Sequence, residues 1–240
     1  MQARPYLATV RSVEPLSPLV RLLRFELDPG DSLDFEPGQF VTLRIPLAVL
    51  GPDDTRSYSL ASYPDGSGLF EIAITLVRGG PASTWLHRIE PGTRIPLSGP
   101  YGFFTLAEPP PRAMCFVATG TGVVPIRPML RRVFEAGGEH EVHLVFGVRH
   151  EEDLIWRAEF EALAHTHPGF HFHPTLTSPP PAWPGHVGRV QALVDRLLIE
   201  PRRTDVDVYV CGLRRMVDDV RDRLKAAGWA RKKLHQERYD

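Results

Sequence analysis

Three consecutive prolines, Pro109-Pro110-Pro111, divide this chain into two stretches written in different periods. Proline fixes φ and has no amide to donate, so a run of three makes a stiff, extended connector. Before it, short β-type runs over 6–13, 20–27, 40–45, 56–61, 69–77 and 94–97 alternate with turn residues. Pro37-Gly38, Pro64-Asp65-Gly66 and Pro91-Gly92 each join a fixed φ to a permissive neighbour, as tight turns require. Strands at that spacing predict an antiparallel β-barrel or sandwich, with one helix expected over 83–89. After the prolines, strands over 114–119, 141–148, 170–176, 206–211 and 233–237 alternate with helices over 126–136, 151–165, 190–198 and 213–227. That alternation predicts βαβ units and a doubly wound parallel sheet. The boundaries follow as 1–108 and 112–240, each stretch long enough to bury its own core.

Composition removes several function classes. Lys and Arg number 28 against 29 Asp and Glu, a net charge of -1, which gives no basic field for nucleic acid or a membrane surface. The N-terminus lacks an apolar signal core, and no apolar run approaches the roughly 20 residues that span a bilayer, so a cytoplasmic protein is expected. Cys115 and Cys211 are the only cysteines, too few for a disulfide framework or a four-thiolate iron–sulfur cluster. A small-molecule ligand is the class that remains.

Two stretches carry ligand chemistry. Arg56-Ser57-Tyr58-Ser59 sets a cation, two hydroxyls and an aromatic ring on one strand. Strand alternation lets Arg56 and Tyr58 share a face, which suits a ligand with a phosphate at one end and a flat ring at the other. Taken alone, the four residues also fit a half-buried edge strand with a solvated arginine. Gly120-Thr121-Gly122 follows an apolar strand and precedes a helix, where glycines let amides approach a pyrophosphate. Pro125 stands where a dinucleotide fingerprint has its third glycine, so this segment also reads as a tight strand-to-helix turn.

In order along nearly the whole chain, the motifs resemble the ferredoxin–NADP reductase-like flavoproteins, in particular the compact bacterial oxygenase reductases without an iron–sulfur domain. Arg56 to Ser59 is similar to the family's Arg-x-Tyr-Ser motif, and Gly80-Pro81-Ala82-Ser83-Thr84-Trp85-Leu86 to its flavin pyrophosphate segment. Gly99-Pro100-Tyr101-Gly102-Phe103-Phe104 resembles its barrel-closing turn, and Gly120 to Pro125 its Gly-x-Gly-x-x-Pro, in which the proline is expected. Phe146 to Arg149, Cys211-Gly212 and Glu237-Arg238-Tyr239 complete the series.

The resemblance implies a flavin-binding barrel and a nicotinamide-binding α/β domain, with FAD and NADH or NADPH as cofactors. It implies hydride transfer from NAD(P)H to FAD and release of electrons to an acceptor, such as a separate ferredoxin, flavodoxin or oxygenase component. A non-autonomous subunit acting only within a larger complex is the competing reading. The catalytic candidates are Ser59, near flavin N5, and Cys211, beside nicotinamide C4. The cofactor-binding set adds Arg56, Ser57, Tyr58, Gly80, Ala82, Ser83, Thr84, Thr119, Gly120, Thr121, Gly122, Gly212 and Tyr239. Because Gly79 to Leu86 supplies a pyrophosphate site, FAD is preferred to FMN. Ser178-Pro179 lacks the Ser-Arg pair of NADP-specific relatives and leans the choice to NADH, although Arg149 is able to meet a 2′-phosphate.

Cys115 at the start of one parallel strand and Cys211 at the end of its neighbour are expected roughly 15 Å apart. His165, His167, His171 and His173 match no zinc-ligand spacing, and Phe170-His171-Phe172-His173 reads as a strand with its imidazoles outward. No metal is expected. Asp53 and Asp54 read as a solvated turn instead of a catalytic carboxylate pair, since hydride transfer rests on ring placement.

Overall fold

The computed structural model describes residues 4–51 and 54–239. Two compact units emerge, one up to Leu106 together with Arg127–Arg132, the other made of Ala107–Ile126 and the chain from Val133 onward. Asp53 lies outside the described residues, while Asp54 pairs with Arg44 at 3.2 Å.

The first unit holds β1 (Arg4–Pro15), β2 (Val20–Leu27), β3 (Phe40–Arg44), β4 (Thr55–Ser59), β5 (Leu69–Thr75) and β6 (Arg94–Tyr101). These run antiparallel in the order β4-β3-β6-β1-β2-β5. Just past β4, Leu60 bridges Ile72, and the Ala61 amide donates to the Glu71 carbonyl at 2.8 Å, so the two outer strands meet and close a barrel. Closure turns one side chain in two toward a common interior, which Val10, Leu23, Phe25, Val41, Leu43, Phe70 and Ile72 fill. Phe25 and Phe70 stack there at 5.1 Å. The expectation of a single helix needs correction. Besides α2 (Pro81–His87), a one-turn α1 (Leu47–Leu50) starts after Pro46 and stops at Gly51, whose φ of 69° only glycine adopts without strain.

The second unit is an all-parallel sheet of β7 (Ala113–Thr119), β8 (Glu141–Val148), β9 (Phe170–Leu176), β10 (His186–Val187), β11 (Asp207–Leu213) and β12 (Leu234–Tyr239). Its order, β10-β9-β8-β7-β11-β12, runs outward from β7 in one direction and then in the other. The winding reverses between β7 and β11, so the crevice favoured by ligands opens at their carboxyl ends. Between strands lie α3 (Ile126–Glu135), α4 (Arg157–Thr166), α5 (Val190–Val194) and α6 (Arg214–Ala226).

The single helix expected over 151–165 is broken. A 3₁₀ turn at Glu151–Asp153 precedes Trp156, which takes a left-handed φ of 55° before α4 begins. Leu154 and Ile155 are buried at the break, so packing wins over local periodicity. The cysteine separation is also shorter than expected. Val208 pairs with Cys115 and Cys211 with Ala118, three register steps, or about 10 Å along adjacent strands. Both cysteines are buried and unbridged. Among the described residues, no helix is long and apolar enough to cross a membrane.

Candidate cofactor sites

In the first unit the four-residue grip occupies β4, where register pairs Arg56 with Leu43, Ser57 with Thr42, Tyr58 with Val41 and Ser59 with Phe40. Cross-strand partners share a face, so Arg56 and Tyr58 lie on the side of buried Leu43 and Val41. Ser57 is on the other face, where its hydroxyl meets Thr42 Oγ1 at 3.0 Å. Tyr58 packs partly buried on the barrel core, and that burial pushes its phenol up to about 12, against the opposing pull of the Arg56 charge. The ring is therefore neutral. Arg56 donates to its neighbour's carbonyl, Thr55 O, at 2.6 Å, and Ser59 is buried.

The glycine-led loop before α2 is shaped by Ser83. Its Oγ accepts from the Val77 amide at 3.1 Å and donates to the Gly80 carbonyl at 3.0 Å. The hydroxyl thus braces the loop that is expected, with its amides, to hold the pyrophosphate. A β-carbon on Gly80 would sit 2.8 Å from that hydroxyl. The first helical bond runs from Thr84 N to Gly80 O, and Pro81 has no amide, which leaves the amides of Ala82 and Ser83 as first-turn donors. Those donors and the β4 cation fit a pyrophosphate-bearing flavin.

In the second unit, Thr119 ends β7 and Gly120–Val123 forms a 3₁₀ turn that leads into α3, which begins at Ile126 as expected. Gly120 takes φ 52° and Gly212 φ 145°. The approach of the two strand ends is close. A β-carbon on Gly122 would lie 2.2 Å from the Cys211 carbonyl oxygen, and one on Gly212 2.4 Å from Thr119 Oγ1. Thr119 Oγ1 is buried and has no hydrogen-bond partner among the described residues. The glycines let the two strand ends meet beside an orphaned buried hydroxyl at the switch point, where the backbone is open to a polar ligand.

Cys211 is fully buried, and register sets it beside Glu237 on β12, with Tyr239 one diagonal step along. Burial pushes its thiol well above the ordinary range, Glu237 adds to the rise, and a hydrogen bond from Tyr239 opposes it. The group is a neutral thiol held in place, not a thiolate nucleophile. Glu237 is the residue that sequence reasoning quoted without giving a role. Only the β11–β12 register, formed by residues 26 positions apart, brings it to Cys211.

The histidines form a cluster of a different membership from the one that spacing suggests. His143, His171, His173 and His186 lie on neighbouring strands, with ring centroids 4.8 Å apart for His143–His171 and 5.2 Å for His143–His173. His143 Nε2 donates to Glu141, which leaves its Nδ1 to accept from His173 Nε2 at 2.9 Å. Only His171 is exposed, so the imidazoles are not all solvated as alternation implied. His167 instead stacks on Phe134. Among the described residues no set of His, Cys, Asp or Glu has metal-holding geometry.

Burial, with neighbouring His143, His186, His171 and Arg196, lowers His173 from 6.5 to about 4. Between those values the unfolded chain binds the extra proton, so stability is full above pH 6.5 and falls as pH drops toward 4. The expected loss by pH 4.5 is on the order of 2 kcal/mol from this residue. Urea midpoints measured at pH 7 and 5 should show the decline, and His173→Asn should flatten it.

Comparison with known proteins agrees with this division of labour. The family described as "Oxidoreductase FAD-binding domain" matches residues 7–106, and "Oxidoreductase NAD-binding domain" matches 116–222. The chain is 45% identical over 245 residues to ferredoxin–NADP reductase B of Sorangium cellulosum, with 100% of each covered. It is 34% identical to the toluate 1,2-dioxygenase electron transfer component of Pseudomonas putida, with 95% of this chain and 65% of that one covered. The crystal structure of an Amycolatopsis cytochrome P450 reductase superposes with a TM-score of 0.88 at 30% identity, covering 98% of this chain and 70% of the other. Hydride transfer from NAD(P)H to FAD, with electrons passed on to an acceptor, is the activity these likenesses support. A full-length match at this identity, together with both domain families in order, shows that the chain belongs to the ferredoxin–NADP reductase-like family of FAD- and NAD(P)H-dependent oxidoreductases.

Proposed function

We propose that this reductase takes its hydride from NADH and delivers electrons to a separate ferredoxin, flavodoxin or oxygenase component. The observation that carries the hydride step is the orphaned Thr119 hydroxyl beside the close approach of Gly122 to β11 and of Gly212 to β7 at the sheet's switch point. Bound nicotinamide supplies the hydride, and bound flavin takes it up and releases electrons singly or in pairs. On the flavin side, Arg56 pairs with phosphate, Tyr58 gives its neutral ring a face to pack on, and Ser59 borders the reacting edge. The amides of Ala82 and Ser83 hold the pyrophosphate, with Gly80 and Thr84 fixing the turn that presents them. On the nicotinamide side, Thr119 to Gly122 and Gly212 line the ring's pocket. Cys211 forms its wall, and Tyr239 orients the thiol. The domain boundary falls at 109–111, and two unbridged buried cysteines support a reducing, cytoplasmic setting.

For the nucleotide, His150, Glu151, Glu152 and Ser178 to Pro180 line a pocket of about 670 Å³ past the ends of β8 and β9. Two carboxylates there favour a ribose hydroxyl over a 2′-phosphate. With the bound flavin identified and a neutral quinone as acceptor, kcat/KM for NADH should exceed that for NADPH by about tenfold. Preference for NADPH would overturn the nucleotide reading. Failure to oxidise either nucleotide would overturn autonomous activity in favour of a subunit that works only in a complex.

Cys211→Ala should keep its flavin and slow flavin reduction by NADH about tenfold in stopped flow, because the ring loses its wall while chemistry stays with the cofactors. Reduction at the wild-type rate would reject the role.

A further inference from the structure

The pocket assigned to the nucleotide has on one side the 3₁₀ turn with Glu151 and Glu152, and on the other Ser178 to Pro180, which open the loop from β9 to β10. Trp183, further along that loop, ties the two sides together. Its amide donates to Pro180 O at 3.1 Å. The Arg157 guanidinium lies over its ring, 5.3 Å from the centroid, while donating to the Glu151 carboxylate at 2.5 Å. At the loop's return end, the indole Nε1–H donates to His186 O at 2.9 Å. The strut is therefore only as firm as the hold on His186.

That hold depends on protonation. β10 is two residues long and meets β9 only at His186–Thr175 and Val187–Leu176. The Arg196 guanidinium, on the π-helical turn Asp195–Ile199 that continues α5, donates to His186 Nδ1 at 3.1 Å. A guanidinium only donates, so this nitrogen carries no proton. The His173 ring stands 6.1 Å from that of His186, and its Nε2 lies 2.9 Å from His143 Nδ1, with His171 flanking His143. Glu141 meets this column at its far end, against His143, and is clamped there by Arg203. Among the described residues, the charged and titratable groups that face His173 and His186 are Arg196 and the other imidazoles. Burial, and after it the Arg196 charge, hold His186 below its ordinary value.

We propose that the histidine column is a proton-operated clasp on the nucleotide pocket: neutral His186 holds the Trp183 loop in place, and a proton on His186 releases the loop and weakens NADH binding. This rests on the reading of that pocket as the nucleotide's, and adds how the pocket is regulated. A proton on Nδ1 sets N–H against N–H and puts a second cation beside Arg196, with His173 behind it. The ring then turns out to solvent, and the carbonyl that receives the Trp183 indole moves with it. A released histidine titrates near 6.5, above its value in the clasp, so the clasp is whole above that pH and yields as pH falls below it. One proton bounds the change at about tenfold per pH unit.

The test compares the flavin-loaded full chain at pH 7.5 and 5.5 with two readouts. Hydrogen exchange without nucleotide, expressed as protection factors, should show residues 178–188 losing about tenfold of their protection while the β7–β8 ladder stays protected. Stopped-flow flavin reduction over a range of NADH concentrations should show the NADH dissociation constant rising about fivefold. H186Q keeps an acceptor for Arg196 and takes up no proton, so both changes should shrink below about twofold, with a limiting reduction rate equal to the wild type's at each pH. W183F keeps the ring and lacks the N–H. It should bind NADH about fivefold more weakly than wild type at pH 7.5 and no more weakly at 5.5, and it carries the test should H186Q fail to fold.

Protection of residues 178–188 that is the same at both pH values would overturn the clasp, as would an H186Q variant that keeps the wild-type pH dependence. Exchange of loop and ladder together would make the change a global unfolding and overturn it too. Failure of the underlying reading is distinguishable, because the loop then loosens in exchange while NADH affinity stays the same, which overturns the regulation along with the pocket's assignment to the nucleotide.

Discussion

Gly122→Ala should abolish flavin reduction by NADH or NADPH, a loss of at least a hundredfold, while the barrel still binds FAD. The added β-carbon would lie 2.2 Å from the Cys211 carbonyl oxygen, 2.6 Å from its carbonyl carbon and 2.9 Å from Gly212 Cα. All three are backbone atoms of β11, which cannot rotate aside as a side chain would. Relief requires β7 and β11 to part at the switch point, or the 3₁₀ turn at Gly120–Val123 to lift away. Either movement reshapes the pocket bounded by Thr119 and Cys211, and a displacement near 1 Å costs about a hundredfold in a reaction that depends on ring placement. Stopped-flow reduction of the flavin reads the loss directly. A flavin spectrum unchanged from wild type confirms that the barrel is intact, and reduction within tenfold of the wild-type rate would contradict the close approach.

Tyr58→Ala should release flavin during purification, with affinity weakened by about two orders of magnitude. Removing the ring deletes a stacking partner and opens a gap against Val41, its neighbour on β3. An aromatic pair contributes about 0.5–1.5 kcal/mol beyond its area, and the lost apolar contact about as much again, which together approach a hundredfold. Tyr58→Phe separates ring from hydroxyl. The phenol is neutral over the working pH range, so Phe should retain most of the flavin. Flavin-to-protein absorbance ratios after gel filtration measure both variants, and equal retention by Ala and wild type would remove Tyr58 from the site.

The sequence made the fold legible because its two periods are clean and the proline run separates them. β2 spans Val20–Leu27 as alternation predicts, and β9 spans Phe170–Leu176. The failures have physical causes. Residues 151–165 read as one helix, yet burying Leu154 and Ile155 forces Trp156 into a left-handed turn, a tertiary demand that local spacing does not carry. The cofactor motifs were legible because glycine, proline and arginine at fixed offsets are chemically narrow. The bonds by which Ser83 braces its loop, to Val77 and Gly80, were not legible because they depend on how the loop folds back.

The barrel's closure carries a consequence for cofactor retention. Several of its strand pairs are joined by long ladders, seven register pairs between β2 and β5 and six between β1 and β6. The seam beside the flavin grip is shorter, the Leu60–Ile72 bridge, the Ala61–Glu71 bond and the Glu71 amide on Ser62 Oγ. A seam so lightly laced is where local unfolding begins, and amide hydrogens there should exchange with solvent ahead of those in the ladders. A flavin seated on Arg56 to Ser59 binds the closed form and not the open one, so each tenfold rise in free flavin above its dissociation constant adds about 1.4 kcal/mol to closure. Cofactor supply thereby sets the lifetime of the folded barrel, and an apo chain exposes to proteases the strand that would have held the flavin.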